Sequence, residues 1–412
     1  MSAVAKRIQE GKNMARKKMR TLHWSIIPKD KLGETVWKAP EMVDSPGIDL
    51  DTNELESMFS LSPDKKAKGE SKQEEKKGGI RGKKHSPLME LLNLQRVNNI
   101  GILLSQFKVP LEEVIGAIWR MDESALSLEN LKALRYIAPK DDEIKILRTV
   151  VGKLDMSLLT KAERFLLMLV EVPRLSQRLE SFLWKRQFPT LLAELAADTA
   201  CLLMACDEVK TAKKLPQILK IVLTIGQVLN RDSYLFNSDG FKLESLMRLT
   251  ETKGKNTQFT ILHFLKKEVQ TKKEHLLSFY DELPNVEKAS KLCMEHIIME
   301  VQKIKKDLTQ LERELAVRKE EKDKLSAEQP PAPEDHYCEL MGAFFEDAKL
   351  QFERLAGQVD SVLAKWNELA RFYGEDADKA PPQQFFSCLH HFAHQFHSLK
   401  LPAAFLEGKV GK

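Results

Sequence analysis

The sequence predicts an all-α chain, and three observations carry that expectation. After about residue 88, apolar residues recur every three or four positions through nearly every segment. No stretch alternates apolar with polar residues as a half-buried strand would. Proline stands between the periodic segments, as at Pro139 and Pro173, where it ends one helix and admits the next. No unit returns at a fixed period. With 412 residues, 42% hydrophobic and 30% charged, the chain can bury a large core, as one elongated or two to three compact domains.

The elements follow in order. Residues 1–16 read as a disordered extension without the apolar core of a secretory leader. Residues 17–61 carry Trp24 and Trp37 but little core of their own. Burying one tryptophan stabilises by roughly 3 kcal/mol, and so thin a segment cannot bury two within itself. The pair either folds back on its own chain or anchors in a partner subunit. Ser62 to Pro87 holds nine Lys/Arg and four Asp/Glu, a net charge of 9 − 4 = +5, and reads as a flexible, solvated linker.

Helices follow. Leu88, Leu91, Leu92, Ile100, Leu103 and Leu104 mark the first, in a region spanning 88–160. "ENLKALRYIAPKDDEIKIL" reads as a helix stopped at Pro139, then an acidic first turn. "LTKAERFLLMLVEVPRLSQRLESFLW" is amphipathic and interrupted at Pro173, and "KKLPQILKIVLTIGQVLN" repeats the pattern. "DGFKLESLMRLTETKGKN" reads as a glycine-led loop running into an amphipathic helix that starts at Lys242. Ile297, Val301, Ile304, Leu308, Leu311 and Leu315 form a seven-residue repeat, fitting a coiled coil or a long bundle helix. A last helical pair lies around Trp366 and from Phe385 to Leu399; residues 401–412 are a tail.

Composition narrows the function. The net charge of +5 favours acidic partners mildly, and the basic runs lack the interleaved aromatics of a nucleic-acid binder. No run of about eighteen apolar residues predicts a transmembrane helix. Five scattered cysteines without a CxxC pair read as reduced thiols of an intracellular protein. Phosphate loops, HExxH and GxSxG are absent, and paired carboxylates fall only on charged helix faces, so neither an enzyme nor a cofactor is expected. His390, His394 and His397 share a helical face and could chelate zinc, but beside Leu389, Phe392, Phe396 and Leu399 they read more simply as the wet edge of a core helix.

Taken as a set, several motifs resemble one family. "KKMRTLHWSIIP" with Trp37, "RVNNIGILL", "LTKAERFLLMLVEVPRLSQRLESF", "GQVLN…DGFKLESLMRLTETKGKNTQFTILHFL" and "LARFYGEDADKAPPQQFFSCLHHFAHQF" are similar, in order, to the lasso, knob, middle helices, most diagnostic block and post of the formin homology 2 domain. The resemblance runs from about Lys17 to Leu399. It implies a lasso at 17–61, a linker at 62–87, a knob at 88–160, and coiled-coil and post helices at 161–400, closing as a head-to-tail ring dimer. It also implies actin as partner, in filament nucleation and barbed-end binding, at the cytoplasmic cytoskeleton.

The implied site residues follow from the same motifs. Ile102, Lys242 and Arg96 would contact actin; Trp24 and Trp37 would dock in the partner's post around Gly226, Asn230, Gly240 and Phe241. The residues alone leave Ile102 open as core and Lys242 as a solvated first-turn residue. The chain departs from the family at Gln227 and Leu229, in the segment that would receive the lasso, and at Gln95, where the knob has lysine. "QPPAP" is too short for a profilin-recruiting proline track. The alternative is a non-actin helical scaffold, or a microtubule binder using its basic linker.

Overall fold

The computed structural model describes residues 19–43, 47–59, 94–105, 107, 109–150, 159–255, 258–325 and 335–401. The N-terminal extension, the basic linker, Leu88 to Leu92, "QPPAP" and the tail from residue 402 lie outside the described residues.

The main helices are α1 (Thr52–Phe59), α2 (Leu94–Leu104), α3 (Leu111–Arg120), α4 (Leu128–Ile137), α5 (Asp141–Val150), α6 (Lys161–Val170), α7 (Leu175–Thr211), α8 (Lys214–Leu229), α9 (Ile261–Lys272), α10 (Met294–Leu325), α11 (Tyr337–Phe372) and α12 (Pro382–Ser398). The described residues contain no strand, only isolated antiparallel bridges between Ile26 and Phe241 and between Lys253 and Thr260. The all-α expectation holds.

Local chemistry explains the boundaries. The Ser127 side chain accepts the Asn130 N–H at the start of α4. Thr160 and Glu163 close a capping box on α6. α3 ends at Met121 in the left-handed region, φ 54°. The break after Pro173 places Arg174 at φ 50° before α7 begins.

The described residues form two compact units, each discontinuous in sequence. One takes Glu70–Glu194 and Glu300–Ala356. Its core joins Ile100 and Leu104 of α2 and Leu131 and Leu134 of α4 to Phe165 of α6, Phe182 of α7 and Tyr337 of α11. The seven-residue stripe resolves here: Ile304, Leu308 and Leu311 of α10 are buried, and Leu311 and Leu315 pack on this unit's own core. α10 is therefore a bundle helix over that stretch.

The other unit takes Met1–Gly69, Leu195–Met299 and Gly357–Lys412. Its centre is α8, where Ile218, Leu219, Val222, Ile225, Val228 and Leu229 are all buried. α8 packs against α1, α9 and the 3-10 turn Glu274–Glu282, and α12 packs against the segment Leu243–Met247.

One expectation is corrected. The amphipathic helix expected from Lys242 is a 3-10 turn, Leu243–Met247, followed by a single α turn, Arg248–Glu251. Leu243 and Leu246, three apart, are both buried, which suits the eclipsed spacing of a 3-10 turn. One helix among the described residues, α7, is long and apolar enough to cross a membrane by length and composition alone. Its positions Leu195, Leu202, Ala205 and Val209 are buried as in a core helix.

Candidate functional site

Six of the residues singled out from sequence meet in one place. Trp24 and Trp37 lie 7% and 4% exposed against the end of α8 and the loop after it. The Trp24 ring stacks on Phe241 with centroids 5.5 Å apart and planes 7° apart. Trp37 tilts onto the same phenylalanine at 4.6 Å. Both indole N–H groups are buried without a hydrogen-bond partner, so packing holds the rings.

Glycines make the room. A Cβ on Gly226 would fall 1.9 Å from Trp24 Cζ3, and one on Gly240 would fall 2.7 Å from Trp37. A third glycine was not expected from sequence: Gly374, at φ +71°, lies beneath Ile27, 2.7 Å from where its Cβ would stand. Its signal was the "FYGED" break after α11, which offers a left-handed residue where a helix stops.

The backbone is stitched as well. Leu22 N–H donates to Asn230 Oδ1 at 2.9 Å, and Asn230 Nδ2 donates back to the Leu22 carbonyl at 2.9 Å. Lys242 N–H donates to the Ser25 carbonyl at 2.9 Å, and Ser25 N–H donates to Ser245 Oγ at 3.0 Å. Gln227 donates to the Ser238 carbonyl at 2.9 Å, bracing the loop that carries Gly240 and Phe241. The departure at Gln227 therefore shapes the socket, while Asn230 holds the backbone at Leu22. α1 adds Leu55, Met58 and Phe59, all buried, with ion pairs from Glu54 to Lys267 and from Glu56 to Arg231. All these contacts are made by the chain with itself.

Lys242 stands at the edge of this socket as the residue before the 3-10 turn. Its side chain is 34% exposed, and its ammonium pairs with Glu375 at 3.3 Å. Glu375 escaped sequence reading because it lies far along the chain, after α11.

The remaining candidates lie in the other unit. Ile102 on α2 is 63% exposed, while Val97, Ile100 and Leu104 on the same helix are buried. That excludes the core reading. Asn98, Asn99 and Gly101 beside it are exposed too, so Ile102 is an apolar side chain on a polar face. Arg96 points elsewhere. It donates to the Ala138 carbonyl at 3.0 Å and pairs with Glu143, tying α2 to the α4–α5 junction.

The histidines occupy the rim of α12, with His394 and His397 exposed and His390 half-buried, over the buried Leu389, Phe392 and Phe396. Burial holds the His390 imidazole below its usual range. Among the described residues no three His, Cys, Asp or Glu groups come together to hold a metal ion. All five cysteines are free, and burial pushes the thiols of Cys206 and Cys388 up to about 12.

The Formin Homology 2 Domain family model matches residues 10–397 of this chain. Formin-like protein 3 of Oryza sativa subsp. japonica is 31% identical over 383 residues, covering 92% of this chain and 30% of that protein. Formin-like protein 14 of Arabidopsis thaliana is 30% identical over 381 residues, covering 92% and 30%. Formin-I of Dictyostelium discoideum is 30% identical over 410 residues, covering 93% and 43%. The chain thus spans less than half the length of these curated relatives.

Proposed function

We propose a function from one premise: this chain belongs to the formin homology 2 family. It assembles actin, binding the barbed end of the filament and nucleating new filaments, and it does so by binding alone, without a catalytic step. The observation that carries this reading is Ile102, 63% exposed on a helix where Val97, Ile100 and Leu104 are buried and Leu103 is half-buried. An isoleucine kept in water gains roughly 1.5–3 kcal/mol when a partner's apolar cleft covers it. Lys242 supplies the second contact. It exchanges its pairing with Glu375 for an acidic actin surface, and so contributes orientation and association rate more than affinity. Arg96 acts differently from Ile102: it positions α2 through Ala138 and Glu143.

The working form is a homodimer at the cytoplasmic actin cytoskeleton. Its two copies exchange their tryptophan segments, so that each socket around Gly226 and Phe241 receives the partner's Trp24 and Trp37. Plug and socket belong to the same chain, so exchange keeps every contact described above and closes a ring. The linker Ser62 to Pro87, 26 residues, reaches roughly 90 Å when fully extended, which lets the halves separate while stepping.

Pyrene-actin assembly, seeded and unseeded, tests the reading. The wild-type protein shortens the lag or slows barbed-end growth; Ile102→Ala and Lys242→Asp do neither, with thermal unfolding of Ile102→Ala within about 0.5 kcal/mol of wild type because the side chain is exposed. A wild-type protein without effect on either curve refutes it. A basic-linker microtubule binder would then be the reading to pursue, its binding salt-sensitive and lost with Ser62 to Pro87.

A further inference from the structure

A cavity of about 350 Å³ adjoins the 3-10 turn Leu243–Met247 and the first half of α12. Leu243, Met247, Phe385 and Cys388 give it an apolar wall, and Glu244 and Glu375 stand in its lining. Both carboxylates already have roles. Glu244 accepts the Ser25 hydroxyl at 2.7 Å, and Glu375 pairs with Lys242 at 3.3 Å. Cys388 donates to the Leu243 carbonyl at 3.1 Å, fastening α12 to the turn along this wall. No lysine or arginine lines the cavity; its one imidazole, His391, is exposed and bonded to Gln395 at 2.7 Å.

We infer that this cavity binds an amphiphilic amine, one ammonium group on an aromatic body, and that the bound amine competes with Lys242 for Glu375. The chemistry is specific. A concave apolar wall with a few convergent polar groups is the usual form of a small-molecule site. Phe385 and the Met247 thioether favour an aromatic body. Glu375 is only 10% exposed, so it must keep a cationic partner, either Lys242 or the ligand. An anion or a neutral polar ligand has no complementary charge here. Cys388 lines the wall as a neutral thiol, since burial pushes it up to about 12. Occupancy leaves Lys242 without its carboxylate, on the surface that meets actin in the function proposed above. Neither the binding nor the competition needs actin, so their test stands apart from that function.

The probe is 2-(2-naphthyl)ethylamine, titrated calorimetrically against the full chain, beside its neutral alcohol analogue. Wild-type protein should bind the amine saturably, with the alcohol at least about tenfold weaker. Glu375→Gln should weaken the amine about tenfold, and Ala380→Leu, which fills the cavity and leaves both carboxylates in place, should abolish binding. Lys242→Ala should tighten the amine several-fold by removing its competitor. Thermal melts of each variant verify the fold. Absence of saturable wild-type binding, equal binding of alcohol and amine, or unchanged binding in Ala380→Leu overturns the site. Unchanged or weaker binding in Lys242→Ala overturns the competition.

Discussion

Ile102 and Gly226 show how much can rest on a single side chain, present in one case and absent in the other. Ile102 stands out because it is 63% exposed on α2 while Val97, Ile100 and Leu104 are buried. Gly226 matters because a methyl group there would overlap the Trp24 ring at 1.9 Å, too close for any rotamer to escape. Gly226→Ala should expel Trp24 and weaken docking of the tryptophan segment by about 3 kcal/mol, the burial value of the ring. The measurement is tryptophan fluorescence with sedimentation velocity: red-shifted emission and a dimer weakened roughly a hundredfold. Unchanged emission would mean that α8 yields at that point. Both residues were legible only through motif resemblance. Periodicity alone leaves Ile102 open as core, because α2 places apolar residues on either side of it. A glycine inside a helix likewise announces a close approach without naming the ring that makes it. Lys242 was legible as a residue but its partner was not, because Glu375 comes from a break in the chain 133 positions later (375 − 242).

At the scale of elements, α10 carries a device that its apolar stripe does not reveal. Glu314 is 6% exposed and accepts hydrogen bonds from Arg174 and Arg318, the latter at 2.8 Å. Arg318 in turn lies 4.1 Å over the Tyr337 ring and donates to the Pro173 carbonyl at 3.0 Å. Burial pushes the Glu314 carboxyl up, but the two guanidiniums outweigh it and hold the group below the usual carboxylate range. The sign follows. A folded pKa below the unfolded one stabilises fully above the ordinary carboxylate range, and that stabilisation is lost as pH falls through the folded value. Glu314→Gln should therefore flatten the acid side of the stability profile and cost about 3 kcal/mol near neutrality, since Arg318 stays buried without its partner. Urea unfolding from acid to neutral pH measures this; a parallel profile in the variant would contradict it. The α10 helix itself was plain from its heptads, and α4 and α6 from the stops at Pro139 and Pro173. The 3-10 turn after Lys242 was not, because Leu243 and Leu246 satisfy helical and 3-10 spacing alike.

At the scale of the whole molecule, the tryptophan segment and its socket belong to one chain, and the proposed ring dimer exchanges them between copies. Cysteines introduced at Ser25 and Ser245, whose backbone and side chain meet at 3.0 Å, report which copy fills the socket. Cross-linking with a short bifunctional thiol reagent should give a covalent dimer on a denaturing gel, absent from either single variant; a cross-linked monomer would contradict exchange. Two tryptophans without a core of their own and a helical body were visible in the sequence, because composition and spacing record local burial. The sequence could not record which surface the tryptophans cover, since that pairing spans about two hundred positions and depends on shape rather than pattern. The central claim is that this chain grips the barbed end of an actin filament through Ile102 and Lys242. The most direct measurement is single-filament fluorescence microscopy with labelled protein. The account predicts wild-type protein dwelling at growing barbed ends and altering their elongation rate, and Ile102→Ala leaving the ends bare and growing at the free rate. Filament ends that grow alike with both proteins, or an Ile102→Ala variant that dwells as long as wild type, would contradict it.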